Sequence, residues 1–430
     1  MIARGKITGG IHHRPKQALD WDRPAQSERS VSRHYLTRPG GFGACFTAGA
    51  PRAGEGGLVK LFRCQNCGQV LYFENVRCEK CGHRLGYAPE TARLRALEPA
   101  TDETCWQAVG APEQAWRFCA NAEHDACNWL IPADSEAAYC AACRHNRTVP
   151  DLSVARNLAL WRKLEDAKHR LFYSLLRLDL PLATRIEDPE HGLAFDFLAD
   201  PPAATGPKVM TGHDNGLITI ALVEADDAER EERRASMGEQ YRTLLGHFRH
   251  EIGHHYWDVL VRDSGRLDDF QALFGDDRQD YDAALQAYYN QGPPAGWQEN
   301  FVSAYATMHP WEDFAETWAH YLHIVDTLEM ARAFGVSLEP KVDRTGTLAA
   351  EVDFDPYREG PIDALIDAWL PLCFAMNSLN RCMGGADLYP FVLSPGVIRK
   401  LGFIHELVHA DRDRDEQVAA SAPEKVDAAR

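Results

Sequence analysis

The stretch Leu244–Leu260, LLGHFRHEIGHHYWDVL, decides how the rest of the chain is read. Leu244, Leu245, Phe248, Ile252, Tyr256, Val259 and Leu260 recur three or four residues apart, the period of a helix with one buried face. Within that helix His250, Glu251 and His254 spell His-Glu-x-x-His. The two imidazoles then stand one turn apart on one face, where they can share a divalent ion. The glutamate beside them can polarise a bound water. A third ligand has to come from another element. It is offered by WEDFAETWAHYLHI, residues 311–324, the start of a second strong helix expected from Trp311 to about Phe334. This helix carries two acids one turn apart, Glu312 and Glu316. The expected order is Glu312 on the metal and Glu316 orienting a ligand histidine, with the reverse as the alternative.

The same motif occurs again as His405, Glu406 and His409, with only 21 charged and Ala-rich residues after it. No stable third ligand is expected from that tail, so this copy reads as a helix edge at the end of the domain. After His254 come His255, Tyr256, Trp257 and Asp258, which excludes the longer HExxHxxGxxH arrangement. Asp258, one turn beyond His254, is read as a ligand or orienting acid on one side and a capping acid on the other. A donor for a developing oxyanion is sought in Tyr305, seven residues before Glu312, provided the helix extends back through Pro310. His320 and His323 are the alternatives. His255 points off the ligand face and is read as structural.

Ahead of this region lies the strand-like LITIALV, residues 217–223, expected to form a sheet edge, preceded by GHDNG, residues 212–216, expected as a turn. A helical pattern also opens after Asp151 with Val154, Leu158, Trp161, Leu164, Ala167, Leu171, Leu175 and Leu178.

Residues 58–150 read differently, as short segments punctuated by Cys, Gly and aromatics, and they hold nine of the 12 cysteines, eight of them at spacings that pair. Cys64 and Cys67 flank Gln-Asn and precede Gly68. Cys78 and Cys81 flank Glu-Lys and precede Gly82. Two such turns wrap one tetrahedral ion from opposite sides. Cys119, Cys127, Cys140 and Cys143 form a looser second set. Both sets use protein ligands alone and leave no open position, so zinc there would hold the fold; spacing alone also admits iron. Cys45, Cys105, Cys373 and Cys382 are assigned nothing.

Composition narrows the function classes. The 430 residues carry 46 basic and 63 acidic side chains, a formal charge of -17, which repels nucleic-acid phosphates and anionic membranes. Four thiolates on a divalent ion add a net -2 per site, so nucleic-acid binding through the cysteine region is not expected. No uncharged apolar run approaches the roughly 18–20 residues that span a bilayer, and a cytoplasmic location is expected. Residues 1–57, basic and rich in Gly and Pro, are expected to be a disordered arm. Residues 410–430 are expected to be a disordered tail.

The segments CQNCG, CEKCG, YCAAC, CRHNRTVPDL, HEIGHHYWD and HPWEDFAETWAHYLHIVDTLE span about residues 58–408. Taken together they resemble a bacterial family of zinc-binding metallopeptidases with an N-terminal zinc-ribbon region. The resemblance implies an α+β fold: a small Cys-rich ribbon module over 58–150, then a mainly helical, gluzincin-like zincin domain with a small sheet over 151–409. It implies one catalytic and two structural zinc ions, His250, His254 and the WEDFAE acids as ligands, Glu251 as general base, and a polypeptide as substrate. The competing reading is a catalytically silent scaffold whose ribbons bind a protein partner.

Overall fold

The computed structural model describes residues 60–102, 104–201, 208–237, 242–358 and 360–421. The arm expected over 1–57 lies outside them.

In the first cysteine set both Cys-x-x-Cys pairs run into a glycine with a left-handed backbone, Gly68 at φ 71° and Gly82 at φ 79°. Their N–H groups return to the carbonyls of Cys64 (2.9 Å) and Cys78 (2.8 Å), closing the two turns. Strands β1 (Leu61–Arg63) and β2 (Val70–Tyr72) form a hairpin around the first turn. The second turn leads into an antiparallel meander of β3 (Arg84–Ala88), β4 (Arg93–Pro99), β5 (Trp106–Ala108), β6 (Ala111–Phe118) and β7 (Leu130–Pro132), paired in chain order. Strand β8 (Asn146–Thr148) leaves this module and pairs in parallel with β9 (Ala194–Leu198). That sheet continues through β11 (Leu217–Ala221) to β10 (Gly212–Asp214), in the order β10-β11-β9-β8.

This sheet corrects two expectations. LITIALV is β11, an interior strand, and the edge beside it is β10. The GHDNG stretch is a turn only at Asn215 and Gly216, whose φ values of 45° and 80° are those of a tight hairpin. An Asn-Gly pair accepts that backbone twist, so Gly212–Asp214 is free to pair as a strand.

The remainder is helical, giving a mixed α+β protein. After α1 (Ala155–Arg177) come α2 (Asp227–Met237), α3 (Leu244–Trp257), α4 (Leu267–Phe274), α5 (Tyr281–Gln291), α6 (Pro310–Ala333), α7 (Ile362–Cys382) and α8 (Pro395–Ser421). A strand pair of two residues each, β12 (Ser337–Leu338) with β13 (Ala350–Glu351), bridges α6 and α7. Helix α6 begins at Pro310, capped by the His309 side chain on the Trp311 N–H. Tyr305 therefore lies in a separate short turn, Tyr305–Thr307, because proline fixes the helix start. Helix α8 runs to Ser421, past the expected start of the tail. The sequence after Ala410 holds no proline or glycine before Pro423, so nothing in its composition breaks a helix. Helix α7 is long and apolar enough to cross a membrane. Asp363 and Asp367 interrupt its apolar run, and Leu365, Ile366, Trp369 and Leu372 are buried in the core.

Residues from the cysteine region and the helical region share one apolar core, in which Phe73 and Tyr87 meet Tyr173 of α1 and Trp129 meets His169 of the same helix. Buried ions cross the same seam. Lys60, just ahead of β1, pairs with Asp326 of α6 and stands 3.3 Å from Glu329. Arg249 of α3 reaches Asp326 at 2.7 Å, and Arg177 of α1 reaches Asp355 at 2.7 Å. The network joins the first ribbon strand to the helix that carries His250 and His254.

Candidate metal centre

Helix α3 is started by Thr243, whose hydroxyl accepts the Gly246 N–H at 3.0 Å, and it buries Phe248 against Phe195 and Phe197 of β9 and Tyr256 against Trp318 of α6. Between the two motif histidines lies Gly253, where a Cβ would meet the Ala315 Cα at 3.0 Å and the Trp318 Cβ at 3.2 Å. A helix-interior glycine costs about 1 kcal/mol relative to alanine. Here it lets α3 and α6 approach closely enough for Glu312 to reach the histidines.

His250 Nε2, His254 Nε2 and Glu312 Oε2 converge. The nitrogens are 3.2 Å apart, and the carboxylate oxygen is 3.0 Å from His250 and 3.5 Å from His254. Ligand bonds of about 2.0–2.1 Å in a tetrahedron give ligand–ligand edges of about 3.3–3.4 Å, so this triangle has the size a zinc ion requires. Glu312 is 2% exposed, and its Oε2 has no hydrogen-bond donor of its own. A buried carboxylate oxygen aimed between two imidazole nitrogens fits a cation in that space. The donor set is therefore complete for a three-ligand site.

The supporting contacts are ordered. Glu316 Oε1 lies 2.7 Å from His250 Nδ1, and its Oε2 accepts from the Ser303 hydroxyl at 2.6 Å. This fixes the His250 tautomer with Nε2 free to ligate. Tyr281 of α5 donates to Glu312 Oε1 at 2.8 Å, leaving Oε2 for the cluster. Trp311 lies against His254, ring centroids 3.6 Å apart, and His213 of β10 stands 6.1 Å away on the same imidazole. Burial alone would lower the pKa of His250, but the Glu312 and Glu316 carboxylates raise it well above its ordinary value. Burial likewise opposes ionisation of Glu312, and His254 and His250 overcome it and hold the carboxyl well below its usual range. Glu251, next along α3, makes no side-chain hydrogen bond among the described residues, and burial pushes its carboxyl up to about 7.

The other candidates are placed as follows. Tyr305 stands beside the cluster, its ring 6.1 Å from that of His250. His320, expected as an oxyanion donor, is outside it. One turn beyond Glu316, the rising face of α6 carries it to Tyr389, whose hydroxyl is 2.7 Å from its Nδ1, and against Phe391. His323 is engaged with Arg249 at 2.6 Å. His255 is buried off the ligand face, and Asp258 pairs with Arg262 at 2.7 Å. In the second motif His405 meets the Tyr321 hydroxyl at 3.0 Å, His409 lies against the carbonyls of His405 and Tyr357, and Glu406 faces Arg266.

The cysteines gather in two sets. Cys64 is 3.5 Å from Cys81, and Cys67 is 3.6 Å from Cys78, near the roughly 3.8 Å edge of a tetrahedral thiolate site. Cys127 and Cys140 are 3.8 Å apart, with Cys119 and Cys143 in the same fully buried cluster. Glu165 and His169 of α1 lie against this second set. Sequence reading missed Tyr281, Ser303, Trp311, His213 and His169, which are distant in the chain from what they touch. Gly253 was the one available signal, a helix-breaking residue inside a strong helical pattern.

A family described as "Putative zinc-binding metallo-peptidase" matches residues 157–407, and a zinc-ribbon domain matches residues 61–154. Proteins carrying the name "uncharacterized" from Mycobacterium bovis and Mycobacterium tuberculosis are 44% identical over 353 residues, covering 81% of this chain and 95% of theirs. No solved structure matches the chain. With more than half its length under the family model, and ligand-competent clusters in both matched segments, the chain belongs to this zinc-binding metallo-peptidase family.

Proposed function

We propose that the protein is a zinc-dependent peptidase whose catalytic ion is held by His250, His254 and Glu312. The observation that carries this reading is the triangle of three donor atoms from His250, His254 and Glu312, with Glu251 beside it on α3. Held by these three residues, zinc would supply water activation and polarisation of a substrate carbonyl. Glu251 would accept the proton of the attacking water and return it to the leaving amine; among the described residues no side-chain hydrogen bond holds its carboxylate away from either transfer. Glu316 keeps His250 in the ligating tautomer. Tyr305, its ring 6.1 Å from that of His250, is the phenol offered to a developing oxyanion, while Tyr281 is held on Glu312. His320 has no part in the reaction.

Two structural ions in the cysteine sets complete the complement. The acidity of the chain, -17 overall, favours neutral or basic polypeptides as substrates, in the cytoplasm. The test is paired: Glu251→Gln retains zinc and loses hydrolysis of unstructured polypeptide, whereas His250→Ala/His254→Ala loses one zinc of three by metal analysis. Full hydrolysis by Glu251→Gln would end this mechanism. Zinc-loaded wild type that cleaves no polypeptide would favour the silent scaffold.

A further inference from the structure

The second cysteine set is buried on all sides, and the helical half of the protein supplies part of its wall. An ion held by Cys119, Cys127, Cys140 and Cys143 carries a net charge of -2, which is costly in a dry site unless N–H groups point at the sulfurs. Backbone supplies three: Trp129 N–H on Cys127 at 3.3 Å, Cys140 N–H on Cys119 at 3.4 Å, and Cys143 N–H on Cys140 at 3.4 Å. Among the described residues no backbone N–H reaches Cys143. His169 does, from α1, with Nε2 3.5 Å from Cys143 Sγ and 3.3 Å from Cys127 Sγ. A metal-bound thiolate has no proton to give, so the imidazole is the donor.

Glu165, one turn earlier on α1, places a carboxylate oxygen 3.4 Å from Cys143 Sγ. The same carboxylate is neutralised by Lys168 at 2.9 Å and accepts from Asn146 at 2.8 Å. Its charge is already matched, so Glu165 is a counter-ion for Lys168 and not a ligand. Lys168 and Glu165 are each fully buried, which makes the arrangement specific to this seam.

We infer that His169 is a positioning residue for the second structural ion, donating an N–H to the thiolates of Cys127 and Cys143 and thereby tying that ion to helix α1 of the helical half. The centre is shared between the two halves, and the ribbon is a built-in part of the peptidase core and not a detachable recognition head. The hydrogen bond withdraws electron density from the thiolates. They are then weaker nucleophiles and exchange their metal more slowly. This inference does not depend on the catalytic reading, because it concerns a different ion.

The experiment follows zinc release from the full-length protein to an excess of chromogenic chelator, for wild type, His169→Leu and His169→Gln. In His169→Leu one zinc equivalent is expected to leave roughly 10- to 100-fold faster, the range for loss of a supporting contact to a metal ligand. The remaining zinc leaves at wild-type rates. His169→Gln, whose amide can still reach a sulfur with an N–H, restores slow release. In the cobalt-loaded protein the thiolate-to-metal absorption shifts in His169→Leu, which a packing defect alone does not produce. Unchanged release and absorption in His169→Leu would overturn the inference. So would loss of a nitrogen ligand from the cobalt spectrum, which would make His169 a direct ligand. Should His169→Leu fail to fold, His169→Asn against His169→Gln decides the question: the shorter amide falls short of the sulfur and releases zinc faster, and equal rates refute the role.

Discussion

Replacing Gly253 by alanine sets two known effects against each other. Alanine in a helix interior is favoured over glycine by about 1 kcal/mol, so on propensity alone Gly253→Ala stabilises α3. The added Cβ, however, meets the Ala315 Cα at 3.0 Å, the Trp318 Cβ at 3.2 Å and the Ala315 carbonyl oxygen at 3.3 Å. Two of these are backbone atoms, and no rotamer change relieves them. Helix α6 would have to move by a few tenths of an ångström. It is held by Lys400 on Asp313 at 2.5 Å and by Arg249 on Asp326 at 2.7 Å. Overpacking of a close-packed contact costs about 1–3 kcal/mol. At the middle of that range the steric effect exceeds the propensity gain, for a net loss of about 1 kcal/mol and at most about 2 kcal/mol by chemical denaturation of the chelator-treated protein. Separation of the helices also draws Glu312 away from His254, so zinc affinity at this site falls, measured by chelator competition. A Gly253→Ala protein that is more stable than wild type, with unchanged zinc affinity, would refute the claim that this glycine sets the distance between the ligand helices.

Three further outcomes follow from contacts around the cluster. Glu316→Gln keeps an acceptor near His250 but removes its charge, and zinc affinity should fall roughly tenfold, with Glu312→Gln losing at least a further tenfold; the reverse ranking in chelator competition would exchange their roles. Tyr281→Phe removes the hydroxyl donated to Glu312 Oε1 at 2.8 Å, a bond to a charged group worth about 1.5–3 kcal/mol, and should weaken zinc about tenfold while leaving the two cysteine sites filled. Burial lowers the pKa of His320 to about 4 from 6.5. The unfolded chain therefore takes up its proton first, and this contribution to stability is present above pH 6.5 and lost as the pH falls toward 4. His320→Gln should flatten the pH dependence of unfolding across that window by up to about 3 kcal/mol, whereas a slope equal to that of wild type would place the buried charge elsewhere.

What the sequence made legible was local. The histidines of α3 and the acids of α6 are each fixed by spacing along one helix, and each Cys-x-x-Cys-Gly closes on itself, so their pattern could be read without the fold. What it concealed depends on where elements meet. Ser303 and Tyr281 come to the cluster from a loop and from α5, and no periodicity links them to Glu316 and Glu312. The strand Gly212–Asp214 was hidden because three residues before an Asn-Gly turn carry too little alternation to register, while pairing with β11 is enough to order them. Strand β8 was concealed by its position at the end of the cysteine region, where its partner β9 lies almost fifty residues on. The same is true of His169, a single histidine on the apolar pattern of α1 that acquires its meaning from sulfurs on another element.

The two copies of His-Glu-x-x-His show why spacing alone does not make a metal site. In both, two imidazoles rise one turn apart from a helix that packs on α6. The first copy faces Glu312 and Glu316 across Gly253, so that a carboxylate can enter between the nitrogens and a second can hold one ring from behind. The second copy packs against α6 farther along, where the facing residue is Tyr321. Its histidines meet a phenol and backbone carbonyls, and its glutamate turns toward Arg266. Among the described residues no carboxylate joins these two imidazoles in a cluster of donors as Glu312 does in the first copy. Helix α6 thus selects between the copies through the residue it presents to each. Acids at one end give a centre with donors at zinc spacing, and a tyrosine at the other gives a packed helix pair.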